Sequence, residues 1–151
     1  DFCLSRGLGD VYKRQLGYRT SAFRDGDLRG ALVTGAWFQL GPGDGERSRA
    51  EMKRLTEERR RTQPIDTRNC GSVFRNPPGD SAGRLVEAAG MKGAWEGRAQ
   101  VSDLHANFIL NQGGATAADV ARLIERVKEA VRERFGIELE TEVEKVGRWH
   151  E

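Results

Sequence analysis

An α+β fold is predicted by three features of the sequence: a long amphipathic helical pattern from Thr116 to Gly136, an alternating strand pattern straight after it, and short strand-like runs in no regular βαβ order. The helix signal is the strongest. In "TAADVARLIERVKEAVRERFG", Thr116 and Asp119 have capping-box spacing, and Val120, Leu123, Ile124, Val127, Val131 and Phe135 recur at helical intervals before Gly136 stops the run. "IELETEVEKV" then places Ile137, Leu139, Thr141 and Val143 on one face and four glutamates on the other, as a strand does when one face packs and the other meets water or a site.

The remaining elements follow from the N-terminus. Residues 1–15 show no periodicity, lack the apolar region and cleavage site of a signal peptide, and resemble translated adapter sequence. They are set aside as a non-native leader. "ALVTGAWFQL", Ala31 to Leu40, alternates and runs into the turn residues "GPGD", which predicts a strand. Glu46 to Thr62 predicts a polar surface helix that Pro64 prevents from continuing. "NCGSVFRNPPGDSAGRL", Asn69 to Leu85, is too glycine-rich for core and too orderly for a linker. Within it "DSAGRLVEAAG" opens a short helix, with Asp80 or Ser81 as N-cap, Leu85 and Val86 turned to the core and Gly90 as the stop. "RAQVS" and "ANFILN" read as two short strands.

A chain of 151 residues suits one domain, or one domain carrying part of another. Its 25 basic and 23 acidic residues are interspersed and sum to +2, which gives no field to recruit nucleic acid. The run Arg59–Arg60–Arg61 is better read as a solvated helix end, where cations suit the dipole. No apolar run approaches the roughly 20 residues that cross a bilayer. Cys3 and Cys70 form neither a disulfide framework nor a metal motif, and only two histidines are present, so no metal site is expected. Ser72 fails as a nucleophile of the elbow type, because Phe74 stands where that motif requires glycine. On residue pattern alone Ser72 reads as a turn or cap residue and Glu142 as one of four solvated glutamates.

A resemblance changes that weighting. "GYRTSAF" (Gly17 to Phe23), "FQLGPGD", "CGSVFRNPPGDSAGRLVEAAGMKG" (Cys70 to Gly93), "AQVSDLHANFILN" and "GIELETEV" occur in an order that resembles the C-terminal half of the UDP-N-acetylenolpyruvoylglucosamine reductase family of peptidoglycan precursor synthesis. The resemblance covers nearly everything after Gln15, and the serine block is its most specific part. It implies a remnant of an FAD-binding domain over 16–64 and a substrate-binding domain over 65–151. It further implies the cofactors FAD and NADPH, the substrate UDP-N-acetylglucosamine enolpyruvate, a cytoplasmic location in a bacterium, and a chain inactive by itself.

Site roles carry over by position. The resemblance makes Ser72 the proton donor, Arg19 the arginine that faces the substrate carboxylate, and Glu142 a further catalytic acid. Gly71 lets backbone approach flavin, and Asn76, Lys92 and His105 match positions near the substrate. Departures are present as well. The family pattern has proline before the glutamate and arginine two residues after it, where this chain has Thr141 and Glu144, with Lys145 the neighbouring cation. Arg98 stands where glycine is common, and no long insertion precedes Arg68, as in the shorter subclass. The rival reading is a non-catalytic nucleotide-sugar binding module, which would have no use for a hydroxyl at a reacting carbon.

Overall fold

A computed structural model describes residues 21–26, 28 and 30–147. The chain divides into two compact units, residues 1–44 and 45–151. In the first, a single turn of helix, α1 (Ala22–Asp25), closes with Gly26 N–H donating to Ala22 C=O at 3.2 Å. The strand expected at Ala31 to Leu40 is absent: residues 31–44 form no regular element, and Leu32, Trp37, Phe38 and Leu40 are exposed. Alternation gives a segment a strand's faces, but a strand also needs a ladder partner. None pairs with this segment among the described residues.

The second unit begins with α2 (Gly45–Thr62), which buries no residue. Its surface is laced by pairs such as Arg54 with Glu51 and Glu58, and Arg59–Arg61 form its last turn, as its composition predicts. Then come β1 (Asn69–Ser72), α3 (Ala82–Ala88), β2 (Trp95–Glu96), β3 (Ala99–Val101), β4 (Phe108–Asn111) and α4 (Ala117–Phe135). The strands make one antiparallel sheet in the order β1-β4-β3-β2. Ala99, Val101 and Ile109 join Leu85 and Val86 of α3 and Leu123, Ile124, Val127 and Val131 of α4 in one core.

Two expectations for the middle of the chain need correction. The serine block is not free of the core, because Asn69–Ser72 is an edge strand and the next two residues, Val73 and Phe74, are each 1% exposed. The last segment keeps its alternation, with Leu139 buried and Glu138, Glu140, Glu142 and Glu144 exposed, yet it forms no extended strand. Its ladder is a single bridge, Thr141 opposite Phe74. The helices match their signals closely. Ser81 Oγ caps α3 by accepting from Arg84 N–H, and Thr116 and Asp119 form the full capping box of α4, which ends at Gly136 in the left-handed region.

That capping box has an outside support. Gly97, at φ +55°, lies so close to Asp119 that an added Cβ would sit 2.5 Å from its Cγ. Gly97→Ala therefore combines a left-handed alanine with displacement of a capping carboxylate, an expected loss of about 2 kcal/mol. Gly136→Ala, at φ +66° with nothing within 4 Å of its Cβ, carries only the first cost. Thermal unfolding followed by circular dichroism should rank wild type, Gly136→Ala and Gly97→Ala in falling order of midpoint.

Candidate active site

Ser72 owes its position to a bulge. Asn69 pairs with Leu110 and Ser72 with Phe108, so three steps along β1 answer two along β4. The extra residue brings Ser72 to the same sheet face as Asn69, whereas a regular strand would set residues three apart on opposite faces. Gly71 adopts φ +85°, which only glycine takes without strain, and Asn69 Oδ1 accepts its N–H at 2.8 Å. A Cβ at Gly71 would meet nothing within 4 Å, so the backbone beside Ser72 faces open space. Ser72 is half-buried, and among the described residues nothing hydrogen-bonds its Oγ.

The C-terminal segment delivers Glu142 to the same edge. Glu142 N–H donates to Val73 C=O at 2.7 Å and Arg75 N–H donates to Glu140 C=O at 2.8 Å, which fixes the 140–142 backbone alongside 73–75. Arg75 also pairs with the Glu140 carboxylate at 3.1 Å. Gly71, Ser72 and Glu142, 71 residues apart in the chain at the extremes, thus lie along one edge of the sheet. Arg19 lies outside the described residues.

The other three candidates gather around α3. Asn76 Oδ1 accepts Ala82 N–H at 3.0 Å, tying the turn after β1 to the start of the helix. Lys92 pairs with Glu87 at 2.9 Å. The His105 ring lies against Gly83, where an added Cβ would come within 2.9 Å of its Cε1, and stacks edge-on to Phe108 at 5.0 Å. Its Nδ1 accepts Asn107 N–H at 3.2 Å, so the neutral ring carries its proton on Nε2. Burial, with the Lys92 ammonium as a smaller contributor, holds the imidazole below its ordinary pKa.

Two features were not foreseen from the sequence. A cavity of about 460 Å³ opens between β1 and α4, bordered by Cys70, Ile109, Val120, Ile124, Val143 and Lys145. It lies on the side of β1 toward α4, and Lys145, the neighbour of Glu144, faces it. The second feature is Asn107, 4% exposed, whose side chain holds Phe74 by two hydrogen bonds. A polar residue opening the apolar run "ANFIL" was the available signal, since a buried amide needs partners.

Comparison with known proteins shows which chains this one is similar to. The family model for the C-terminal domain of UDP-N-acetylenolpyruvoylglucosamine reductase matches residues 63–146. A reductase of that name from Alkalilimnicola ehrlichii is 52% identical over 130 residues, covering 83% of this chain and 44% of its own. One from Anaeromyxobacter sp. (strain Fw109-5) is 50% identical over 145 residues, 95% of this chain and 45% of its own. A crystal structure of UDP-N-acetylenolpyruvylglucosamine reductase (MurB) from Thermus caldophilus superposes with a TM-score of 0.58 at 39% identity, covering 70% of this chain and 37% of that one. The chain spans a little under half the length of these curated relatives.

Proposed function

This chain belongs to the UDP-N-acetylenolpyruvoylglucosamine reductase family, and from that premise we propose that it supplies the proton-transfer half of the family's active site. The substrate is then UDP-N-acetylglucosamine enolpyruvate and the product UDP-N-acetylmuramate. One observation carries the reading: a half-buried hydroxyl with no hydrogen-bond partner among the described residues, on a bulged edge, beside the backbone that brings in Glu142.

The residues present fit one edge of a flat cofactor, because Gly71 offers open backbone beside Ser72 where any other residue would project a Cβ. FAD, when bound, supplies the hydride that NADPH provides and that C3 of the enolpyruvyl group receives. Hydride at C3 leaves C2 electron-rich, with charge spread into the adjoining carboxylate. Ser72 Oγ gives its proton to C2, completing addition across the double bond, and regains a proton from water. A hydroxyl is a weak acid, but a carbanionic carbon is a strong base, so the transfer runs downhill once the groups are in reach. Arg19 supplies a planar guanidinium that matches the carboxylate and stays charged. Glu142 is the further catalytic residue, carried on the segment that runs beside Val73. Of the three residues gathered round α3, Lys92 and His105 serve the nucleotide part of the substrate, and Asn76 binds the substrate through an amide that both donates and accepts.

Residues 16–64 belong to the FAD-binding domain on this reading and 65–151 to the substrate domain. Less than half the relatives' length is here, so the isolated chain is expected not to turn over. The test is a hybrid in which residues 16–151 replace the matching part of the Alkalilimnicola ehrlichii reductase. It should form UDP-N-acetylmuramate from NADPH and the enolpyruvyl substrate, while the chain alone should not. A hybrid that binds the substrate and the flavin but forms no product would favour the non-catalytic binding module.

A further inference from the structure

Val73 and Phe74 follow directly on Ser72, and on one side they face the tail. Glu142 N–H donates to Val73 C=O and Arg75 N–H to Glu140 C=O, with Thr141 opposite Phe74. In this antiparallel pattern the central residue turns its own N–H and C=O away from the partner segment. On that far side β4 has not begun, for its ladder starts at Phe108. Two backbone groups of a residue only 1% exposed would be left as orphans. The Asn107 side chain takes both. Its Oδ1 accepts Phe74 N–H at 2.8 Å and its Nδ2 donates to Phe74 C=O at 2.9 Å. Its backbone is held too, with Asn107 C=O accepting Val73 N–H at 2.9 Å and Asn107 N–H donating to His105 Nδ1 at 3.2 Å.

One primary amide thus stands in for a missing residue of strand. A side chain in this place needs a donor and an acceptor a fixed distance apart in one plane, which asparagine has at this length and aspartate, serine and alanine do not. We infer that Asn107 is a positioning residue for the proton-transfer site, locking the segment that carries Ser72 in register with the segment that carries Glu142. The inference rests on the reading of Ser72 given above for its consequence in rate, and on the hydrogen bonds alone for its consequence in register.

Two measurements test it. In the hybrid reductase, flavin reduction by NADPH and flavin reoxidation by the enolpyruvyl substrate are followed separately in stopped flow, per bound flavin. Asn107→Ala and Asn107→Asp are expected to slow the second step about 100-fold, the usual scale for a misplaced reacting group, and to leave the first unchanged. Aspartate keeps the acceptor and loses the donor, which its acid form restores. The ratio of Asn107→Asp to wild type at the same pH should therefore climb as pH falls from about 8 to about 5, whereas Asn107→Ala, which keeps the N–H that His105 accepts and brings no carboxyl group beside it, should show no such climb.

In the full chain, amide exchange read by NMR should quicken by about tenfold or more at Glu142 in Asn107→Asp at neutral pH, where Phe74 N–H keeps its acceptor, and at both Phe74 and Glu142 in Asn107→Ala. If Glu142 exchange is unchanged, or if both half-reactions fall together, the inference is overturned. An Asn107→Ala chain that fails to fold does not remove the test, since the aspartate variant at acid pH retains both bonds. Ser72→Ala, run alongside, separates the two claims: an unaffected second step there refutes the role given to Ser72, while the Glu142 exchange still decides the role given to Asn107.

Discussion

Ser72→Ala in the hybrid reductase is expected to leave flavin reduction by NADPH at its wild-type rate and to slow formation of UDP-N-acetylmuramate by about 10² to 10⁴-fold, the span that positioned proton donors contribute. The asymmetry follows from where the hydroxyl acts. No proton is needed at C2 until the enolpyruvyl group has accepted hydride, so the first half-reaction never calls on Ser72. The substitution should also be nearly silent in stability. Ser72 is half-buried and its Oγ has no hydrogen-bond partner among the described residues, so alanine orphans no buried group and the change should stay within about 0.5 kcal/mol. Gly71 and the bulge remain, and the edge keeps its shape. Stopped-flow rates for both half-reactions, with the thermal midpoint, give the check. Unchanged product formation would remove Ser72 from the chemistry.

What the sequence reveals about this chain tracks how local the determinants are. Both ends of α4 are set within one turn, by Thr116 with Asp119 and by Gly136, so they are readable from neighbours. The same holds for Ser81 at the head of α3. Leu139 and the exposed glutamates beside it were visible as alternation, but alternation could not tell a strand from a segment held by one bridge at Thr141. At Ala31 to Leu40 the same pattern predicted a strand where the structure has none, because pairing depends on a neighbour that no window of sequence contains. Strand β1 failed in the opposite sense. Its glycine argued for a loop, whereas Gly71 is the residue that lets the bulge form on β4. Ser72 and Glu142 were reached through resemblance, and their juxtaposition is a property of the fold. Asn107 was missed since its partner, Phe74, lies 33 residues away.

The opposite signature to Ser72→Ala is expected two residues further along. Phe74 is among the largest fully buried side chains and ties the core beneath the sheet to the segment that carries Glu142. Phe74→Ala removes a buried ring and leaves a cavity, a loss of about 3–5 kcal/mol. Against total stabilities of about 5–15 kcal/mol for a domain, that is a large share. At about 4–8 °C per kcal/mol for a unit of this size, the midpoint should fall by about 12–40 °C. Leucine keeps most of the apolar volume and should recover most of that loss, to within about 1.5 kcal/mol of wild type. Thermal unfolding of the full chain followed by circular dichroism tests both substitutions. A midpoint for Phe74→Ala within a few degrees of wild type would mean that the ring is not in the core. Neighbouring residues of one short segment thus divide between them the two requirements of the site: Phe74 holds the edge in place by burial, and Ser72 stays chemically available because nothing in the described fold uses its hydroxyl.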